Sequence, residues 1–97
     1  MLKMQGNLKR VHILIYGEVQ GVFFRAYTKK TADSIGIKGW VRNKPNGTVE
    51  AVAEGSKKDL DEFLEKIAKG PQTSEVVEVR RAWEKATGEF EGFEIKS

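Results

Sequence analysis

A short glycine-containing run between a strand-like and a helix-like segment constrains this chain more than any other feature. The strand-like stretch 11–16 is followed by Gly17-Glu18-Val19-Gln20-Gly21-Val22-Phe23-Phe24-Arg25. Two glycines four residues apart allow a tight turn, because glycine adopts positive φ and has no Cβ. The helix that follows presents unpaired N–H groups and the positive end of its dipole at the same turn. This arrangement is typical of an anion-binding loop, most often one for phosphate.

Arg25 strengthens the prediction of a phosphate site. A cation is unfavourable in the first turn of a helix because it lies at the positive end of the dipole. An arginine there suggests an anion held between its guanidinium group and the backbone amides. The alternative, which these residues alone leave open, is an ordinary strand-to-helix turn with a surface arginine.

The remaining hydrophobic periodicities predict the order βαββαβ. Strands are expected at 9–17, 37–43, 48–54 and 75–83, and helices at 23–35 and 57–69. Ser56 can cap the second helix and Gly70 ends it. The fourth strand lacks clean alternation, which indicates a bulge or an edge position, and alternating residues near the C-terminus allow a short last strand.

This element order favours an α+β fold of the ferredoxin-like type, an antiparallel sheet with two helices on one face. With 97 residues the chain has room for one core, so residues 9–97 are predicted to form a single domain. Residues 1–8 are expected to be a flexible N-terminal tail.

Composition excludes several classes of protein. No apolar run approaches the length of a membrane span, so no membrane partner is expected. The chain contains no cysteine, which excludes thiol catalysis and Cys-ligated metals and fits a cytoplasmic protein. The net charge of +3 is mild and the charges are mixed, so it does not indicate a nucleic-acid surface. A monomer is expected for so small and polar a chain.

Two motifs together resemble the acylphosphatase family. The first is the run 17–25, and the second is Gly39-Trp40-Val41-Arg42-Asn43, followed by Gly47-Thr48-Val49-Glu50. Their order and spacing match the family's signatures, and the resemblance extends from about Lys9 over nearly the whole chain. It implies the ferredoxin-like fold and hydrolysis of acyl phosphates to a carboxylate and inorganic phosphate. One departure is the C-terminus, Lys96-Ser97 in place of an aromatic residue, which is expected to loosen the last strand.

The resemblance also implies the roles of individual residues. Arg25 is expected to bind the phosphoryl group, and Asn43, by its match to the motif, to orient the attacking water. The backbone amides of the loop should complete the phosphate site; these belong to Glu18, Val19, Gln20, Gly21, Val22, Phe23 and Phe24. No metal and no cofactor is expected. The carboxylate is a good leaving group, and arginine and the amides already supply donors and positive charge for the phosphoryl oxygens.

Other residues and functions are interpreted conservatively. His12 is expected to be structural, and Trp40, Phe24 and Phe63 to lie in the core. One rival is an RNA-recognition motif, but Lys38-Gly39-Trp40-Val41 departs from the required pattern at Arg42. A second rival is an anion-sensing domain without chemistry, against which the presence of Asn43 argues.

Overall fold

The elements follow the predicted order, and the short last strand that the sequence allowed is present as a fifth strand. A computed structural model describes residues 8–97, so the predicted tail, apart from Leu8, lies outside the described residues. The elements are β1 (Lys9–Glu18), α1 (Phe24–Ile35), β2 (Lys38–Asn43), β3 (Val49–Gly55), α2 (Lys57–Lys69), β4 (Glu75–Glu84) and β5 (Phe93–Lys96). The predicted bounds of the first six elements are confirmed to within a residue.

The strands form one sheet in the order β4-β1-β3-β2-β5. β1 pairs antiparallel with β3 and β4, and β2 pairs antiparallel with β3. β5 runs parallel to β2, so the predicted antiparallel sheet is confirmed for four strands and extended by a parallel fifth. Two helices and this strand order make the fold ferredoxin-like.

The core lies between one face of the sheet and the two helices. Val11, Ile13 and Ile15 alternate along β1 and are fully buried. They meet the apolar stripe of α2, which consists of Leu60, Phe63, Leu64 and Ile67, and the buried face of α1, which consists of Phe24, Thr28, Thr31 and Ala32. Within residues 8–97, no helix has both the length and the apolar character that crossing a membrane requires.

Local signals set the ends of the helices. The Ser56 hydroxyl accepts a hydrogen bond from the Asp59 amide at 3.1 Å, the expected N-cap of α2. The N–H of Gly70 donates to the carbonyl of Lys66 where α2 ends. At the end of α1, Gly36 adopts φ +97° and its N–H donates to Ala32, as an αL C-cap requires.

A bulge interrupts the β1–β4 pairing just before the loop. The register shifts between Tyr16 and Gly17, and β4 is an edge strand, which confirms the prediction made from its irregular pattern. Gly17 has φ +134°, and a Cβ there would overlap the carbonyl oxygen of Glu75. Glycine is therefore required at this bulge near the end of β1.

The fifth strand is anchored by its first residue. Phe93 is 3% exposed and packs edge-on against Phe63, with ring centroids 5.9 Å apart. The Lys29 ammonium donates to the Phe93 carbonyl at 2.8 Å. These two contacts hold the beginning of β5 against the core and α1.

Trp40 is not a core residue, contrary to the prediction. It lies on the helix-free face of the sheet, where Lys96 Nζ is 4.5 Å and Arg42 Cζ 5.5 Å from its ring centroid. Its neighbours Gly39 and Val41 are the residues of β2 that face the helices. Successive side chains of a strand point to opposite faces of the sheet, so Trp40 cannot face the core when Gly39 and Val41 do. Phe24 and Phe63 are buried, as predicted.

Candidate active site

The glycine-containing loop lies between the end of β1 and the first turn of α1. Val19 is 1% exposed and fixes the start of the loop to the core. Gly21 and Phe23 then adopt positive φ, +72° and +64°. These two left-handed residues turn the chain so that α1 begins directly at the loop.

The N-terminus of α1 leaves its first amides unpaired by any side chain. The first helical hydrogen bond runs from Tyr27 N–H to Phe23 O at 3.0 Å. No side chain caps the helix, and its first turn contains no acidic residue. The preceding N–H groups, those of Phe24, Arg25 and Ala26, can therefore donate to an anion.

A cavity of about 360 Å³ brings Arg25 and Asn43 together. Arg25 reaches it from the first turn of α1, and Asn43 from the last position of β2. Six further residues line it: Val19, Gly21, Phe23, Phe24, Ala26 and Ile95. Among residues 8–97, no carboxylate lies within salt-bridge distance of Arg25, so its charge is available to an anion.

Asn43 contains the one buried side-chain oxygen or nitrogen atom without a hydrogen-bond partner in the described part of the chain. This atom is its Oδ1. Buried polar atoms are nearly always hydrogen-bonded, and an exception calls for a specific explanation. An acceptor of this kind beside an arginine suits a bound water molecule.

Hydrogen bonds from one side chain connect the loop to the hairpin that contains Asn43. Gln20 Nε2 donates to the carbonyl oxygens of Lys44 at 2.7 Å and Thr48 at 2.9 Å. Thr73 Oγ1 donates to the Val22 carbonyl at 2.7 Å and holds the other side of the loop. The loop is therefore held on both sides without using the donors that face the cavity.

Hydrogen bonds within its connection close the β2–β3 hairpin. Residues 44–48 form the connection, and only Gly47 adopts positive φ there. Asn46 contributes through its side chain, whose Oδ1 accepts from Thr48 N at 3.1 Å and from Thr48 Oγ1 at 2.6 Å. Lys44 N–H donates to Thr48 O at 2.9 Å and fixes the chain just beyond Asn43.

The cavity contains some of the predicted site residues and adds others. Val19, Gly21, Phe23 and Phe24 line it together with Arg25 and Asn43. Glu18 is the last residue of β1, and Gln20 and Val22 lie in the loop; none of the three lines the cavity, so phosphate binding by their amides stays a prediction. Sequence reasoning missed Ala26, Ile95 and the bridging role of the Gln20 side chain. The position of Gln20 inside the motif was the only available signal, and Ile95 had none.

A charged cluster lies on the helix-free face of the sheet, here called the open face, and holds β2, the strand that ends at Asn43, to β3. Arg42 Nε donates to Glu50 Oε1 at 2.7 Å, and His12 Nε2 lies 2.6 Å from Glu50 Oε2. Burial raises the pKa of Glu50, but the hydrogen bonds with His12 and Arg42 outweigh it and hold the pKa below its ordinary value. His12 thus lies beside a carboxylate on the open face, which is consistent with a structural role.

A larger cavity, about 760 Å³, lies at the other end of the sheet, near the beginning of β1 and the end of β3. Its buried carboxylate, Glu54, is already bonded to Arg10 Nε at 2.8 Å and to the amides of Thr87 and Gly88. It contains neither Arg25 nor Asn43. Among residues 8–97, no three histidine or acidic side chains are grouped as metal ligands.

The fold and the site define a class: a ferredoxin-like domain with an anion-binding loop at a helix N-terminus. The family model described as Acylphosphatase matches residues 11–95. An acylphosphatase of Pelotomaculum thermopropionicum is 42% identical over 86 residues, covering 89% of this chain and 94% of that relative. The chain belongs to the acylphosphatase family.

Solved structures of family members are similar to this chain along almost its whole length. An acylphosphatase from Bacillus subtilis is 31% identical with a TM-score of 0.89, covering 92% of this chain and 99% of that one. A second, from Coxiella burnetii, is 30% identical with a TM-score of 0.91, covering 99% of this chain and 100% of that one. The chain is thus a hydrolase of this family.

Proposed function

We propose that this acylphosphatase binds the phosphoryl group of an acyl phosphate with Arg25 and the loop amides and orients the attacking water with Asn43. Hydrolysis of acyl phosphates is supported by membership of the family; the assignment of roles to residues is the proposal. The observation that carries it is a single cavity containing both Arg25 and the buried, unpaired Oδ1 of Asn43.

Charge stabilisation is the main requirement of this reaction. The leaving group is a carboxylate, whose conjugate acid has a pKa of roughly 4, so it departs without a strong general acid. The transition state of phosphoryl transfer is loose and carries its charge on the phosphoryl oxygens. A guanidinium group and preorganised amides at a helix N-terminus supply donors and positive charge for those oxygens. Lysine would lack the planar fork that binds two oxygens at once.

Asn43 acts by orientation in this mechanism. An amide is a negligible base, but its oxygen accepts a hydrogen bond and can align a water molecule. The water oxygen attacks phosphorus, and the bond between phosphorus and the acyl oxygen breaks with its electron pair leaving on the carboxylate. A phosphoryl oxygen takes the proton of the water, so the products are a carboxylate and inorganic phosphate. Alignment of this kind lowers the barrier by several kcal/mol.

The roles are tested by hydrolysis of benzoyl phosphate, followed by ultraviolet absorbance with a metal chelator present. Arg25→Ala, Arg25→Lys and Asn43→Ala are each expected to lower kcat/KM by about 10²–10³-fold, the usual cost of one preorganised contact. Arg81→Ala removes an exposed arginine of β4 and serves as the matched control. Circular dichroism checks that each variant is folded.

Two outcomes would contradict the proposal. Variants that keep wild-type turnover would remove Arg25 or Asn43 from the mechanism. A folded wild type no faster than buffer would leave the anion-sensing alternative, since that domain would bind inorganic phosphate without turnover.

We also propose the domain extent, oligomeric state, location and partners of the protein. Residues 9–97 would form one catalytic domain that acts as a cytoplasmic monomer, needs no metal or cofactor and has no nucleic-acid partner. Light scattering tests the monomer, and activity in the presence of chelator tests independence of metal. The aromatic rings of the open face are already covered by cations, Trp40 by Lys96 and Tyr16 by Arg80, which supports the absence of nucleic-acid stacking.

A further inference from the structure

The cavity has an apolar side that phosphate binding does not explain. Phe23 and Ile95 both line it, and their side chains are 77% and 43% exposed. Phe23 comes from the loop and Ile95 from β5, so elements far apart in sequence place apolar surface around the same cavity. Large apolar groups that are exposed together beside a binding cavity commonly mark a contact surface.

The backbone of Phe23 makes its side chain still more unusual. It is the one non-glycine residue with positive φ in residues 8–97. Glycine or asparagine adopts this conformation at lower cost, and an aromatic residue there is strained by about 1 kcal/mol or more. With 77% of its surface exposed, the ring recovers little of that cost by packing inside the protein. Strained residues of this kind concentrate at ligand sites.

We propose that Phe23 and Ile95 form a subsite for the acyl group, which selects acyl phosphates with an aromatic or branched apolar acyl group over acetyl phosphate. This inference rests on the proposed function, because it places the phosphoryl group at Arg25. With that group at Arg25, the acyl group has to lie elsewhere in or beside the same cavity, and Phe23 and Ile95 are the large, exposed apolar side chains of its lining. An aromatic ring can stack on Phe23, whereas a methyl group offers little surface for contact.

The test is the ratio of kcat/KM for benzoyl phosphate to that for acetyl phosphate, both followed by release of inorganic phosphate. Phe23→Asn removes the ring and tolerates the left-handed backbone, while Phe23→Tyr keeps the ring. Ile95→Thr keeps a β-branched residue in β5 and removes apolar surface. Trp83→Ala removes a side chain that is 42% exposed and lies outside the cavity, and it is the matched control.

The ratio is expected to fall by about three- to tenfold in Phe23→Asn and by about two- to fivefold in Ile95→Thr, less than an enclosed apolar pocket achieves. It should stay at the wild-type value in Phe23→Tyr and Trp83→Ala. Inhibition by inorganic phosphate, which has no acyl group, should change less than KM for benzoyl phosphate. A merely structural effect would weaken both substrates and the inhibitor alike.

Each contrary result has a distinct meaning. An unchanged ratio in both Phe23→Asn and Ile95→Thr, with wild type active on both substrates, overturns the subsite. An equal fall in Trp83→Ala overturns it too, because the effect would then be general. If Phe23→Asn does not fold, Ile95→Thr decides. A wild type that hydrolyses neither substrate overturns the proposed function itself.

Discussion

Replacing Gln20 by methionine is expected to slow catalysis more than it weakens phosphate binding. Gln20 connects the loop that contains Arg25 to the hairpin that contains Asn43, through hydrogen bonds to Lys44 O and Thr48 O. Methionine has a similar length and fills similar space but donates no hydrogen bond. The substitution therefore removes the connection while leaving Arg25 and the helix amides in place.

The structure sets the expected cost in stability. Each neutral hydrogen bond contributes about 0.5–1.5 kcal/mol net. The two carbonyl oxygens do not lose their last partner, because Gly47 N–H still donates to Lys44 O and Lys44 N–H to Thr48 O. Gln20→Met should therefore lower the free energy of unfolding by about 1–2 kcal/mol, or Tm by about 5–15 °C for a domain of this size.

The effect on catalysis depends on geometry. Misplacement of a catalytic group by about 1 Å can cost about 10²-fold in rate. We expect kcat for benzoyl phosphate to fall by about ten- to a hundredfold, and the inhibition constant of inorganic phosphate to rise by less than about threefold. Gln72→Met, the same change at an exposed glutamine in the turn before β4, is the control. A folded Gln20→Met enzyme with wild-type kcat would refute the reasoning, as would an equal loss in Gln72→Met.

Two further predictions concern stability. Glu54→Gln should cost about 1–3 kcal/mol at about pH 7, since the carboxylate accepts hydrogen bonds from Arg10 and two amides. Burial raises the pKa of Glu54, but these bonds lower it below its ordinary value. The contribution of the Glu54 carboxylate to the free energy of unfolding is therefore fully present above the unfolded-state pKa, and it is lost as the pH falls through the folded-state pKa. Urea unfolding should show the difference in free energy of unfolding between wild type and Glu54→Gln narrowing as the pH falls below the ordinary pKa of a glutamate carboxyl. A constant difference would count against this account. Gly39→Ala should cost about 3 kcal/mol or more, since Gly39 has φ +146° and a Cβ would overlap the Val52 carbonyl. Gly92→Ala, with open space around it, should cost less than about 0.5 kcal/mol, and similar losses in both variants would contradict the steric argument.

The parts of the fold that depend on local signals could be predicted from the sequence. The ends of α2 follow from the Ser56 cap and from Gly70, and its buried face follows from the helical spacing of its apolar residues. The loop is equally local, since Gly17 and Gly21 lie within one short run. Asn43 was predicted as a site residue only from the resemblance of two motifs to a family. Its position in the same cavity as Arg25 depends on the pairing of β2 with the rest of the sheet.

The parts that depend on long-range pairing could not be predicted. β5 is four residues long, and its register against β2 is fixed by the burial of Phe93 against Phe63. Only that register brings Ile95 beside Val41 and into the cavity. The prediction that Trp40 lies in the core was wrong for a related reason. Alternation defines two faces of β2, but the positions of the helices decide which face is buried.

The site is assembled from two segments whose alignment the hydrophobic core does not fully determine. Arg25 is placed by α1, which packs on the sheet. Asn43 is the last residue of β2 and is followed directly by the hairpin connection. Packing of the core fixes the helices and strands, but it contributes least at a hairpin end that lies beside a cavity. Gln20 and Thr73 add specific hydrogen bonds where packing stops. Substitutions in the core should therefore change stability with little change in kcat, while loss of the Gln20 bonds should lower kcat as well as stability.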